Sequence, residues 1–147
     1  MKIKFHKKEI SKISKKILDK AVKIKSEKAR VIALSGNLGA GKTTMTQKLA
    51  KHLGIKENIV SPTFVIMKTY EINSKKYKLH FKQLIHIDAY RLDGDDELLK
   101  IGWKELEGNK ENLIIIEWPE NVKEHLGNDA CWVKLEHKDD QTRVVEF

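Results

Sequence analysis

The segment Gly36-Asn37-Leu38-Gly39-Ala40-Gly41-Lys42-Thr43 limits what this chain can fold into more than any other stretch. It satisfies G-x-x-x-x-G-K-S/T in full, and it stands where that motif works. Before it, the apolar run Val31 to Leu34 predicts a buried strand; after it, Met45, Leu49, Ala50 and Leu53 share one helical face ahead of Gly54. The glycines let the backbone curl with its N–H groups inward, so phosphate oxygens meet a ring of donors and the positive end of the following helix. In such a loop Asn37, Leu38, Gly39, Ala40 and Gly41 wrap the phosphates and the Lys42 ammonium reaches the β- and γ-phosphates. The Thr43 hydroxyl ligates magnesium, and Thr44 lies near the α-phosphate. The motif alone separates neither ATP from GTP nor a hydrolase from a kinase.

Strand, loop and helix in this order predict an α/β P-loop NTPase fold with a central mixed, mostly parallel sheet flanked by helices. Leu84 to Ile87 and Leu113 to Ile116 are further apolar runs suited to buried parallel strands. Ahead of the first core strand, Ile10, Ile13, Ile17, Ala21 and Ile24 recur at helical steps with lysines on the other face. Phe64 to Ile72 and Lys76 to Phe81 read as two strands turning at Asn73-Ser74, and Cys131 to Leu135 and Arg143 to Phe147 as an antiparallel pair. Asp93 to Lys104 reads as one or two short helices broken at Gly102.

Each of the two later core runs is followed by a carboxylate, Asp88 and Glu117. A P-loop enzyme needs an acid at a strand end to hold magnesium and another group to orient the attacking nucleophile. Glu117, after the more continuous run, is assigned to magnesium with Thr43, and Asp88 to positioning water or to the outer magnesium shell. The residues alone leave open which is the closer ligand, and a strand-end acid also serves as a simple helix cap. His86 reads as packed or hydrogen-bonded rather than catalytic. Ser61-Pro62-Thr63-Phe64 follows the loop helix where nucleotide hydrolases place the segment that senses the γ-phosphate, with Thr63 the residue nearest that role and a plain proline turn as the alternative.

With 147 residues the chain is expected to form one domain, without room for a second catalytic domain beside a nucleotide fold. No apolar run approaches the ~20 residues that cross a membrane, and the first residues lack a secretory apolar segment, so a cytoplasmic protein is expected. A lone cysteine, Cys131, forms no internal disulfide. Positive charge is concentrated at the front: residues 1–56 hold 16 Lys/Arg against 3 Asp/Glu, and the remainder 13 against 18. That is either a solvated helix face or a footprint for RNA.

Taken together, Gly36 to Thr44, Ser61-Pro62-Thr63-Phe64, His86 to Leu92 and Glu117-Trp118-Pro119-Glu120 resemble the TsaE (YjeE-like) family in order and interval. The resemblance implies an ATPase that serves bacterial synthesis of threonylcarbamoyladenosine in tRNA beside two partners, TsaD and TsaB. It implies ATP and Mg²⁺ as cofactors and contact with tRNA through the complex. It also implies magnesium roles for Thr43 and Glu117, a catalytic acid role for Asp88, and a place for Thr63 in the switch. The family's adenine contacts come from less distinctive segments near both chain ends and are not located by these motifs.

A guanine-specific GTPase needs an Asn/Thr-Lys-x-Asp signature, which neither Asn109-Lys110-Glu111-Asn112 nor His137-Lys138-Asp139-Asp140 supplies. A small-molecule kinase shares the loop but clamps phosphates with several arginines, and this chain has Arg30, Arg91 and Arg143 alone. A nucleotide-dependent binding module without useful turnover is the third alternative. So few arginines predict slow hydrolysis by the isolated chain and acceleration by partners.

Overall fold

The strand Asn112–Glu117 (β5) reads Asn-Leu-Ile-Ile-Ile-Glu and is buried along its whole length, as a strand must be when helices cover both faces of its sheet. The computed structural model describes residues 1–147 except Thr63 and Gly94; the side chain of Asp95 is also left undescribed. Among the described residues the other strands are Lys2–His6 (β1), Arg30–Ser35 (β2), Met67–Glu71 (β3), Gln83–Asp88 (β4), Cys131–His137 (β6) and Thr142–Glu146 (β7). The helices are Ile10–Lys23 (α1), Lys42–His52 (α2), Asp95–Lys100 (α3) and Trp103–Gly108 (α4).

The strands form one sheet in the order β1-β7-β6-β2-β5-β4-β3. The centre, β6-β2-β5-β4, is parallel, and β3, β7 and β1 pair antiparallel at the two sides. The expected α/β P-loop sheet is therefore present. Side chains alternate across it. Ile32, Leu34, Leu84, Leu113 and Ile115 pack against Ile17 and Leu18 of α1 and Met45 and Leu49 of α2. On the other face Val31, Ile85, Ile87, Ile114 and Ile116 meet Leu98 of α3 and Trp103 of α4.

Two sequence expectations change. Lys76 to Phe81 is no strand: Tyr77–Leu79 is a single 3-10 turn, and β3 pairs with β4 instead. Tyr77 is buried, and its hydroxyl donates to Asp19 of α1 at 2.8 Å, so packing against α1 overrides the β preference of this segment. β3 also starts at Met67 rather than Phe64, because Ile66 takes a left-handed φ of 68° that breaks the extended run. In addition, β1 lies in a stretch whose alternating lysines and apolar residues carried no strand expectation. Ile3 and Phe5 pack toward the α1 side, and the strand pairs with β7. None of the helices among the described residues is long and apolar enough to span a membrane.

Candidate functional site

β4 and β5 run in parallel register with Asp88 opposite Glu117, so both carboxylates leave the sheet at the same height. Alternation sets their face. Asp88 follows Leu84 and His86, and Glu117 follows Leu113 and Ile115, on the side covered by α2. That end of the parallel strands is where α/β folds bind ligands.

The loop between β2 and α2 closes the site from above. Gly36, Gly39 and Gly41 have φ of 151°, 79° and 104°, values side-chain-bearing residues rarely adopt. At Gly36 space matters too, since a Cβ there would stand 2.6 Å from the Leu135 carbonyl oxygen of β6. Lys42 opens α2 and is buried; its Nζ donates to the carbonyls of Gly36 at 2.5 Å and Asn37 at 3.0 Å. The ammonium also lies 4.0 Å from the centre of the Trp118 ring. Burial lowers its pKa from the ordinary lysine value, opposed by the charges of Glu117, Glu120 and Asp88.

Thr43 Oγ donates to Glu117 Oε1 at 2.9 Å, and the second oxygen, Oε2, accepts from His86 Nε2 at 2.7 Å. His86 and Glu117 are both essentially buried. Asp88 Oδ2 accepts from Ser61 Oγ at 2.6 Å and Oδ1 from the Tyr90 N–H at 3.0 Å. The Asp88 N–H donates to the Ile66 carbonyl at 2.8 Å, so Ser61 and Ile66 are each bonded to this one acid, the first through its side chain and the second through its backbone. Thr63 lies outside the described residues. After Glu117 the chain turns at Trp118, in left-handed conformation, and Ser35 Oγ donates to Glu120 to hold that turn.

Leu38, Gly39, Gly41, Lys42, Thr43, Thr44, Ser61, Asp88, Tyr90, Glu117 and Trp118 line one cleft of about 500 Å³. Asn37 and Ala40 line the opposite side of the loop, with Leu38 shared between the two. Thr43 with Glu117 offers two hard oxygen donors side by side, and Mg²⁺ is commonly held by one or two carboxylates together with substrate phosphates. The donor chemistry and the glycine cradle thus fit a magnesium-bound nucleoside triphosphate. None of the three arginines lines this cleft. Arg30 binds the carbonyls of Ser26 and Lys28, Arg91 stacks 4.6 Å from the Phe64 ring, and Arg143 binds the carbonyls of Asp139 and Thr142.

A second cleft of about 330 Å³ adjoins Gly41 and Thr44, with apolar walls from Phe5, Ile10 and Leu135 and basic side chains at Lys7, Lys8, Lys48 and Arg143. Sequence reasoning left it unplaced, because its walls come from β1, the start of α1, β6 and β7, and no local motif links them. The family resemblance pointed only to segments near both chain ends, and of the cleft's apolar wall residues Phe5 lies in the alternating stretch at the start of the chain.

The family profile described as "Threonylcarbamoyl adenosine biosynthesis protein TsaE" matches residues 6–145. The chain is similar to the tRNA threonylcarbamoyladenosine biosynthesis protein TsaE of Rickettsia felis, at 36% identity over 80% of this chain and 64% of that protein, a little under two thirds of its length. It is similar to the protein of the same name from Haemophilus influenzae, at 32% identity over 88% of this chain and 77% of that one. Among solved structures, YdiB of Bacillus subtilis superposes with a TM-score of 0.70 at 26% identity, over 99% of this chain and 83% of that chain.

Proposed function

The chain belongs to the TsaE family, and from that premise we propose that it binds and hydrolyses ATP with Mg²⁺ to support threonylcarbamoyladenosine modification of tRNA, acting with TsaD-like and TsaB-like proteins in the cytoplasm. The observation that carries this reading is the convergence of Lys42, Thr43, Asp88 and Glu117 on one cleft under a glycine loop.

In this reading the loop N–H groups and Lys42 bind the phosphates, and Thr43 and Glu117 hold the metal. The metal, when bound, neutralises charge on the β- and γ-phosphates. Asp88 orients the attacking water through the oxygen that Ser61 also contacts, which links water positioning to the switch segment containing Thr63. The apolar cleft of Phe5, Ile10 and Leu135 takes the adenine, since it opens directly beside Gly41 and Thr44. The basic front of the chain is a candidate surface for tRNA within the complex.

Transition-state charge on the γ-phosphate generally needs an arginine or equivalent cation, worth roughly 10³–10⁵ in rate. With none of the three arginines lining the cleft of Lys42, Thr43, Asp88 and Glu117, the isolated chain hydrolyses ATP slowly and a partner completes the site. The test is phosphate release by the chain alone, with TsaD-like and TsaB-like proteins, and with a panel of nucleosides. Stimulation by the proteins supports the proposal. Fast turnover indifferent to them overturns the partner dependence, and phosphorylation of a nucleoside assigns a kinase instead.

A further inference from the structure

We propose that His86 is a positioning residue: it holds the Glu117 carboxylate in the one orientation that presents Oε1 to Thr43 and to magnesium. The inference rests on the reading of Thr43 and Glu117 as the metal pair.

His86 sits two residues before Asp88 on the same face of β4, opposite Ile115 in register and therefore diagonal to Glu117. Its side chain has no exposed surface, and its Nε2 meets Glu117 Oε2 at 2.7 Å. The carboxylate accepts, so the proton of this bond lies on Nε2. The other ring nitrogen, Nδ1, is buried with no partner among the described residues. A buried polar ring with one of its two nitrogens unsatisfied carries a cost that an apolar residue at this position would avoid. The histidine is thus ill explained as core filling, and its one polar contact is the Glu117 oxygen turned away from Thr43.

That contact decides the carboxylate's rotation. A glutamate side chain has several rotatable χ angles, and the Thr43 bond engages only one of the two Glu117 carboxylate oxygens. A second bond to a ring fixed by β-sheet packing locks both. The oxygen facing Thr43 is then already aimed when a metal arrives, and no side-chain order has to be established on binding.

The test measures Mn²⁺ binding, by electron paramagnetic resonance, to the full chain loaded with a non-hydrolysable ATP analogue. Analogue affinity in EDTA and thermal unfolding are recorded for every variant. His86→Leu fills the space without a donor and is expected to weaken Mn²⁺ binding by ~10–100-fold while leaving analogue affinity in EDTA unchanged. His86→Gln, whose amide reaches the Nε2 position, restores most of the affinity, whereas the shorter His86→Asn does not. In a Glu117→Gln background His86→Leu has no further effect. A structural role alone would move Gln and Asn alike, so equal behaviour of the two overturns the inference, as does wild-type Mn²⁺ affinity in folded His86→Leu. If His86→Leu does not fold, the Gln and Asn pair decides. Failure of the unsubstituted chain to bind the analogue or the metal rejects the underlying nucleotide site instead.

Discussion

Asp88 and Glu117 face each other across adjacent parallel strands, yet each is bonded to a different segment of the chain. Glu117 is bonded to Thr43 at the start of α2, and Asp88 to Ser61 in the segment that follows α2. Two carboxylates at one height of the sheet thus fasten two different segments flanking α2.

Lys42→Ala is expected to abolish ATP binding measured by calorimetry. Its ammonium is the cation that lines the cleft at the loop, and it is already desolvated there, so little of its attraction for phosphate is lost to water. Unchanged affinity would remove the site assignment.

Glu117→Gln is expected to retain the nucleotide and to lose hydrolysis by at least the ~100-fold seen at the upper end for partners of metal ligands. The amide fills the same space but supplies no charge for the metal. Phosphate release and analogue binding together check this. An active Glu117→Gln beside an inactive Asp88→Asn would exchange the two roles.

Gly36→Ala is expected to cost roughly 1–3 kcal/mol of stability in denaturant unfolding and to weaken ATP binding. The added Cβ would meet the Leu135 carbonyl at 2.6 Å and Ala40 Cβ at 3.0 Å, and φ is 151°. The loop would have to lift from β6, which distorts the phosphate cradle. Wild-type stability with intact binding would contradict this account of the glycine.

Asp19→Asn is expected to flatten the acid limb of the stability curve. Asp19 accepts from Lys76 Nζ at 2.9 Å and Tyr77 Oη at 2.8 Å, tying α1 to the turn after β3. Burial works to raise its pKa, but these two bonds and the lysine charges outweigh it and leave the value below 3.8. A depressed carboxylate stabilises the fold above its unfolded value and loses that contribution as pH falls through the lower folded value. The wild type should therefore lose more stability than Asp19→Asn on going below pH 3.8, by less than ~1 kcal/mol because the pair is solvated. Parallel pH profiles for the two chains would show that the contact contributes nothing.

The amino-acid sequence by itself determined the loop, its strand and helix, and the two strand-end acids. Each of these is a local pattern: glycines that free φ, an apolar run buried on both faces, and a carboxylate immediately after it. Local pattern also located Gly102 between α3 and α4, where a left-handed residue separates two short helices. What the tertiary structure decided is pairing. Lys76 to Phe81 resembles a strand until Tyr77 is buried against Asp19, and Lys2 to His6 becomes one only because β7 offers an edge to it. The contact between His86 and Glu117 crosses 31 residues and exists because β4 and β5 align in parallel register. The apolar cleft beside Thr44 joins residues from opposite ends of the chain. Contacts of this kind carry no local signature, since burial and register are properties of the assembled sheet and not of any segment within it.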